Sequence, residues 1–289
     1  MDSLQSLIRQ ALSEDAAGRD ITSRALLPST LRIRARVIAK QPGVVAGTAA
    51  ARTAFLAHDR RLRCVIQRRD GQLVRAGQAI LSVSGSARSI FAAERTALNL
   101  LGHLSGIATL TSRYVRMARS SRARIFDTRK TLPGLRALQK EAVRAGGGVN
   151  HRHDLSDAVL IKTNHLRAQC GMRNAECGML IQEMIAKAKR LYPRKFLEVE
   201  VRNFSEFKAA LAVQPDAMLL DNWSLSNIRK AVQLRNPAPR TPHSALLLEV
   251  SGGVTLRNVR AIARTGVERI SIGRLTHSAP WLDVSLRVV

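Results

Sequence analysis

The chain has 289 residues, 45% of them apolar, and carries 47 Lys and Arg against 21 Asp and Glu, a formal net charge of +26. Such a length and apolar content exclude a disordered chain and allow one large core or two smaller ones. The charge favours anionic partners over cations, while an aromatic content of 3% leaves too few rings to stack single strands, so no dedicated nucleic-acid role is expected.

No run is apolar enough to span a membrane, and residues 1–8 lack the basic stretch and apolar core of a secretory signal. Cys64, Cys170 and Cys177 form no CxxC motif and cannot all pair within one chain. The expectation is a reduced, cytoplasmic protein with inert thiols.

Residues 1–12 read as an amphipathic helix, followed by a polar turn at 15–22. Strands are expected at 31–39, 63–67 and 79–83, separated by Gly43, Gly71 and Gly77. The hairpin-like stretch 71–77 carries no lysine at its tip, so it offers no point for covalent modification. Asp20 and Asp59 read as turn residues. A long helix over 89–104 places Ile90, Ala93, Ala97, Leu100 and Leu104 on one stripe.

From residue 107 the pattern alternates. Apolar runs at 123–126, 158–161, 196–201, 217–220, 245–250 and 269–272 read as buried strands. Helix-period segments at 133–145, 175–191, 205–213, 224–234 and 255–265 lie between them, with Ser205, Ser224 and Thr255 as expected cappers. Residues 236–242 form a Pro-rich loop, and 281–289 alternate like a strand. The expected fold is an α/β sandwich over 1–106, joined by a C-terminal strand from 277–289, and an incomplete TIM-like α/β barrel of six or seven parallel strands over 107–276.

Each expected barrel strand delivers polar or small residues at or just past its end: Asp127, Thr128, Arg129 and Lys130; Lys162; Glu198 and Glu200; Asp221 and Asn222; Ser251, Gly252 and Gly253; Ile272 and Gly273. In such barrels that face holds the active site. Arg129, Lys130, His151, Arg152 and Lys162 suit a small polycarboxylate, because guanidinium forks pair with carboxylate oxygens. The Ser251–Gly253 and Ile272–Gly273 turns offer backbone N–H groups near helix starts for a terminal phosphate. Glu200 and Asp221 suit ribose hydroxyls or a hydrated Mg²⁺ bridging phosphates, with salt bridges to arginines as the plain alternative. The His151-Arg152-His153 run has no Cys or carboxylate companion in its spacing and is not read as a metal site. His165 is expected to orient a neighbour.

The segments 94–99 (ERTALN), 104–109 (LSGIAT), 127–131 (DTRKT), 146–152 (GGGVNHR), 160–165, 219–222, 251–255 and 275–280 resemble quinolinate phosphoribosyltransferases, in order and over nearly the whole chain. The resemblance implies condensation of quinolinate with phosphoribosyl pyrophosphate to nicotinate mononucleotide, pyrophosphate and CO2, in NAD biosynthesis. It implies Mg²⁺, held mainly through the pyrophosphate with Glu200 and Asp221 as possible ligands, and no organic cofactor. Lys130, Lys162, Glu200 and Asp221 would be catalytic; Arg95, Thr128, Arg129, His151, Arg152, Ser251, Gly252, Gly253, Ile272, Gly273 and Arg274 would bind substrate. A homodimer is implied, with Arg95 of one subunit completing the other's site. Three departures stand out: Thr163 where the family carries an acid, Arg274 where it carries a small residue, and a stretch over 167–177 rich in Cys, Met and Arg. A relative taking another anionic ring is the competing enzyme reading.

Overall fold

The computed structural model describes residues 2–173, 177–236 and 246–289. Along the chain run α1 (Asp2–Glu14), α2 (Ile21–Leu26), β1 (Arg32–Ala39), β2 (Gly43–Val44), α3 (Thr48–His58), β3 (Arg63–Ile66), β4 (Leu73–Val74), β5 (Ala79–Ser86) and the long α4 (Ala87–Ala118). Strands and helices then alternate: β6 (Arg124–Phe126), α5 (Arg136–Ala145), β7 (Val159–Ile161), α6 (Thr163–Arg173), α7 (Cys177–Leu191), β8 (Leu197–Val201) and α8 (Phe204–Val213). They continue through β9 (Ala217–Asp221), α9 (Leu225–Arg235), β10 (Leu247–Ser251), α10 (Val259–Ala263), β11 (Arg269–Ser271), α11 (Arg274–His277) and β12 (Val284–Val288). Contacts divide the chain into one unit of Met1–Ser112, Lys130–Gly148 and Arg274–Val289, and another of Arg113–Arg129 and Val149–Gly273.

The first unit holds an antiparallel sheet in the order β12-β1-β5-β3. Alternation along β1 sends Ala35 and Val37 into a core with Ile8, Phe55, Leu81, Val83, Ile90 and Ala97, and leaves Arg34 and Arg36 exposed. The apolar stripe of α4 runs on past residue 104 through the buried Ile107 and Ala108, so the helix outlasts the sequence expectation. Helix α3 was not expected because its cap is remote. The Asp70 carboxylate accepts from the N–H groups of Gly47 (2.8 Å) and Thr48 (3.1 Å) and from Thr48 Oγ1 (2.7 Å), satisfying the helix start from 22 residues away. Asp20 caps α2 by accepting from Ser23 N, and Asp59 pairs with Arg61 and Ser89 Oγ.

The second unit holds a parallel sheet in the order β6-β11-β10-β9-β8-β7. Successive strands from β7 to β11 pair as neighbours, and β6 returns to pair with β11. That is an incomplete barrel of six strands with one seam, between β6 and β7; on the β6 side of it Phe126 bridges in parallel to Val149. The strands are buried along most of their length, as expected where helices cover the outer face. Ser224 caps α9, as expected. The other two expected caps are corrected. Asn203, not Ser205, caps α8 by accepting from Glu206 N, while Glu206 accepts in return from Asn203 Nδ2. Thr255 donates its N–H to Asn258 Oδ1 in a turn that delays α10 to Val259. The Pro-rich loop beyond Asn236, the side chains of Cys170 and Cys177 and the middle of the 167–177 stretch lie outside the described residues. Cys64 is buried and unpaired.

The sharpest packing constraint in the first unit falls on α4. A Cβ at Gly106 would stand 2.2 Å from the carbonyl oxygen of Pro280 and 2.9 Å from Trp281 Cα. Both obstacles are backbone, so neither can rotate away. Gly106→Ala is expected to lower stability by roughly 1–3 kcal/mol in urea unfolding; an unchanged midpoint would show that the 280–282 segment does not press on this helix.

Candidate active site

Six parallel strands present their C-terminal ends along one edge of the sheet. Just past β6, the carboxylate of Asp127 is fully buried. It accepts from Asn150 Nδ2 (2.6 Å) and from the His151 backbone N–H (2.8 Å), which ties the 150–152 segment to the end of that strand. Arg152 then donates from Nη1 to the carbonyl of Ala158 (3.1 Å) just before β7. Its pKa is lowered first by burial and next by the charge of Arg129. Guanidinium groups gathered in this way suit an anion. Thr128 and Arg129 are half-buried, and Lys162 is exposed at the end of β7.

Below these cations lies a buried network. His151 Nε2 is 2.9 Å from Glu198 Oε2 and 3.4 Å from Glu249 Oε1, and Arg269 Nε donates to Glu249 Oε2. The guanidinium of Arg269 also lies 4.1 Å from the Phe126 ring centroid and 5.2 Å from that of Phe196. Burial lowers the pKa of His151, but hydrogen bonds and charge from Glu198 and Glu249 outweigh it and raise the value to about 9. The Arg152 N–H, 2.9 Å from Nδ1, acts the other way and favours a neutral ring with its proton on Nε2. Two buried carboxylates outweigh one amide, and in either state Nε2–H faces them. Burial and then the Glu249 charge push the Glu198 carboxyl up. Burial also works to raise Glu249, yet His151 and Arg269 hold it down.

This network corrects one expectation. His151 does have carboxylate companions, and its ligating atom lies within 4.8 Å of those of Glu198 and Glu249, close enough to hold a metal ion. With the imidazolium and Arg269 against two carboxylates, the group is already balanced in charge. His153 stays apart, exposed.

On β8, which pairs with β7, and on the next strand β9, Glu200 and Asp221 are half-buried. Glu200 Oε1 accepts from Thr163 Oγ1 and from the Thr163 N–H (3.2 Å). Thr163 therefore serves Glu200 rather than Lys162 or an arginine, which an acid at this position could not do with its own side chain. Lys162 N donates to His165 Nδ1 (3.0 Å), so His165 orients its neighbour at the start of α6. Asn222, at a φ of 58°, donates its N–H to the Ser251 carbonyl (2.9 Å) and Nδ2 to Asp221 Oδ1 (3.1 Å). A Cβ at Gly252 would come 2.1 Å from Asn222 Oδ1, so only glycine fits this turn. Gly252 and Gly253, both exposed and both at positive φ, engage their N–H groups with no partner among the described residues. The helices after the two glycine turns have only five and four residues, so anion capture there rests on the turn N–H groups rather than on a helix dipole. Ile272 N donates to the Phe126 carbonyl (2.9 Å), which joins the last strand end to the first.

Among the sequence-expected residues, Thr128, Arg129, His151, Arg152, Lys162, Glu200, Asp221, Ser251, Gly252, Gly253, Ile272 and Gly273 all belong to the second unit. Lys130 and Arg274 follow Arg129 and Gly273 in the chain, are exposed, and fall in segments of the first unit, as does the exposed Arg95 on α4. Asp127, Glu249 and Arg269 were not singled out as partners of His151. The available signal was a charge inside an otherwise apolar strand, as in Leu247–Ser251.

Residues 20–105 match the N-terminal domain of quinolinate phosphoribosyl transferase, and residues 107–287 match its C-terminal domain. The chain belongs to the quinolinate phosphoribosyltransferase family. It is 41% identical over 291 residues to the nicotinate-nucleotide pyrophosphorylase (carboxylating) of Mycobacterium leprae, covering 99% of this chain and 97% of that protein. A probable enzyme of the same name from Bacillus subtilis is 36% identical, with 99% and 93% covered. The solved structure of the nicotinate-nucleotide pyrophosphorylase from Francisella tularensis superposes with a TM-score of 0.88 at 37% identity, covering 100% of this chain and 96% of that one. The resemblance carried by the DTRKT and GGGVNHR segments is thus borne out, as is the incomplete barrel.

If Glu249 helps hold the proton on His151, Glu249→Gln will lower the imidazole pKa. Titration followed by NMR of labelled histidine should find His151 protonated up to about pH 9 in the parent. The variant should titrate about one unit lower or more, so that the ring is neutral over a pH range where the parent's is charged. An unmoved midpoint would separate Glu249 from this network.

Proposed function

We propose that the protein joins quinolinate to phosphoribosyl pyrophosphate and decarboxylates the product, giving nicotinate mononucleotide, pyrophosphate and CO2. The observation that carries this reading is the gathering of Arg129, Arg152 and Lys162 at the ends of β6 and β7, with carboxylates and a glycine turn on the remaining strand ends. Guanidinium and ammonium groups gathered at one edge match a diacid, and the relatives carry the corresponding names.

Quinolinate would seat its two carboxylates against Arg129, Arg152 and Lys162, with Thr128 beside them; His151, expected from the sequence to bind substrate, would instead hold this set from beneath, since both its ring nitrogens are engaged. The Ser251–Gly253 turn and Ile272–Gly273, with Arg274 next in the chain, would take the sugar's terminal phosphate. Glu200 and Asp221 would face the ribose. The ring nitrogen lone pair then forms the bond to the anomeric carbon as the bond to pyrophosphate oxygen breaks. Positive charge develops on the sugar, and the two carboxylates stabilise it. Thr163, by occupying Glu200 Oε1, leaves Oε2 for this role. Lys130 and Lys162 offset the charge of the departing pyrophosphate. Half-buried oxygen donors at Glu200 and Asp221 fit a hydrated Mg²⁺, which supplies further neutralisation of the leaving group when bound with the pyrophosphate. In the second step the bond from C2 to its carboxylate breaks. The electron pair stays on C2 beside the positive ring nitrogen, which stabilises it, CO2 leaves and a proton takes its place, with no need of an organic cofactor.

Arg129→Ala and Lys162→Ala should each lower kcat/KM for nucleotide formation from quinolinate, phosphoribosyl pyrophosphate and Mg²⁺ by at least about 100-fold, or about 2.7 kcal/mol, with circular dichroism unchanged. Near-parental kinetics in both would displace the pocket, and faster turnover of nicotinate than of quinolinate would favour a different ring. We further propose a cytoplasmic homodimer in which exposed Arg95 serves the partner's pocket. On that basis inactive Arg95→Ala and inactive Lys162→Ala chains, mixed, should recover activity as heterodimers form; no recovery would confine Arg95 to its own subunit.

A further inference from the structure

Strand β1 alternates Arg32, Arg34 and Arg36 outward against Ala35 and Val37 inward. Arg63 on β3 and Arg287 on β12 are exposed as well. Strand pairing puts them on the same side. Arg34 lies opposite Ser84, which lies opposite Arg63, and Arg36 lies opposite Ser82 on one side and Arg287 on the other. The helices α1, α3 and α4 cover the other face through the shared core. Five guanidinium groups therefore occupy the open face of the four-stranded sheet, around a shallow depression of about 340 Å³ lined by Arg34, Arg36, Arg63, Ser82 and Ser84.

No Asp or Glu stands on the outward positions of these strands, and none of the five arginines makes an ion pair or side-chain hydrogen bond among the described residues. Like charges directly opposed across a ladder, as Arg36 and Arg287 are, destabilise a sheet. An anion on this face would offset that repulsion. The size of the anion follows from the lattice. Residues two apart in a strand are separated by about 6.8 Å and adjacent strands by about 4.8 Å, so the five span roughly 13 by 14 Å. A single phosphate would meet one or two of them; a polymer with a charge every ~1.7 Å would meet all five. A second copy offering the same face would set arginine against arginine. No aromatic side chain faces outward here to stack an unpaired base, and the serines add hydroxyl donors for phosphate oxygens.

We propose that this sheet face binds the phosphate backbone of duplex nucleic acid without regard to sequence. Composition alone, with arginines scattered along the chain, did not lead to this expectation; the strand pairing gathers five of them.

The test is fluorescence anisotropy with a labelled duplex and the matching single strand across a salt series. The parent is compared with Arg34→Glu/Arg36→Glu, with the milder Arg34→Gln/Arg36→Gln, and with Arg9→Glu/Arg60→Glu, which removes the same charge on the α1–α3 side. The parent should bind the duplex better than the single strand, with a log–log salt slope near about −4.5 for five phosphates. Both Arg34/Arg36 variants should bind at least ten-fold more weakly, with a slope shallower by about 2. The Arg9/Arg60 variant should lose less than three-fold, and nucleotide-forming activity should hold in all four proteins. Equal losses from both faces would reduce the effect to bulk charge. An undiminished Arg34/Arg36 variant, tighter single-strand binding, or retention on anionic vesicles in place of duplex at about 0.15 M salt would each overturn the proposal.

Discussion

Two glutamates, Glu198 and Glu249, sit inside the parallel sheet at 1% and 0% exposure, and the architecture of the strand-end face depends on how their charge is met. An isolated carboxylate at that depth would be prohibitive, and breaking a buried pair by removing one partner costs about 3–5 kcal/mol. His151 comes from a loop and Arg269 from the neighbouring strand, and together they balance the two negative charges. The consequence reaches upward. His151 is held by the carboxylates at its ring and by Asp127 at its N–H, and this fixes where Arg152, the next residue, enters the strand-end face, within reach of the charge of Arg129. The anion receptor at the surface is thereby anchored from below by an ion-pair network that need not itself touch substrate.

The same logic separates the strands by job. The β6–β7 side, where Val149 pairs with the end of β6, carries the cations. The β8–β10 side carries Glu200, Asp221 and the Ser251–Gly253 turn, held by Thr163 and Asn222. Cationic and anionic groups on one edge suit two substrates, one a diacid and one an activated sugar whose charge turns positive at the reacting carbon. The chain's positive charge assists capture of both, whereas the arginine face of the antiparallel sheet lies on the other unit and answers to a different anion.

Much of this was legible in the sequence because barrels place function where strands end. The runs 123–126, 196–201 and 217–220 lie within a residue of the observed β6, β8 and β9, and the polar residues after them are the strand-end set. What stayed hidden arises between segments distant in sequence. Asp70 caps α3 from another loop, so an Ala- and Thr-rich stretch with a modest apolar face gave no start signal. Glu249 and Arg269 read as polar interruptions of strands, because nothing local says that His151 will lie between Glu198 and Glu249. Thr163 looked like a loss relative to the family, since its hydroxyl finds Glu200 only across paired strands.

The central claim is that a diacid sits between Arg129 and Arg152, with His151 locked beneath them. A crystal structure of the protein with quinolinate tests it most directly. Carboxylate oxygens should lie within about 3 Å of both guanidinium groups, with the Glu198–His151–Glu249 contacts intact. Quinolinate bound away from Arg129 and Arg152, or His151 swung out of its carboxylate pair to meet it, would contradict the account.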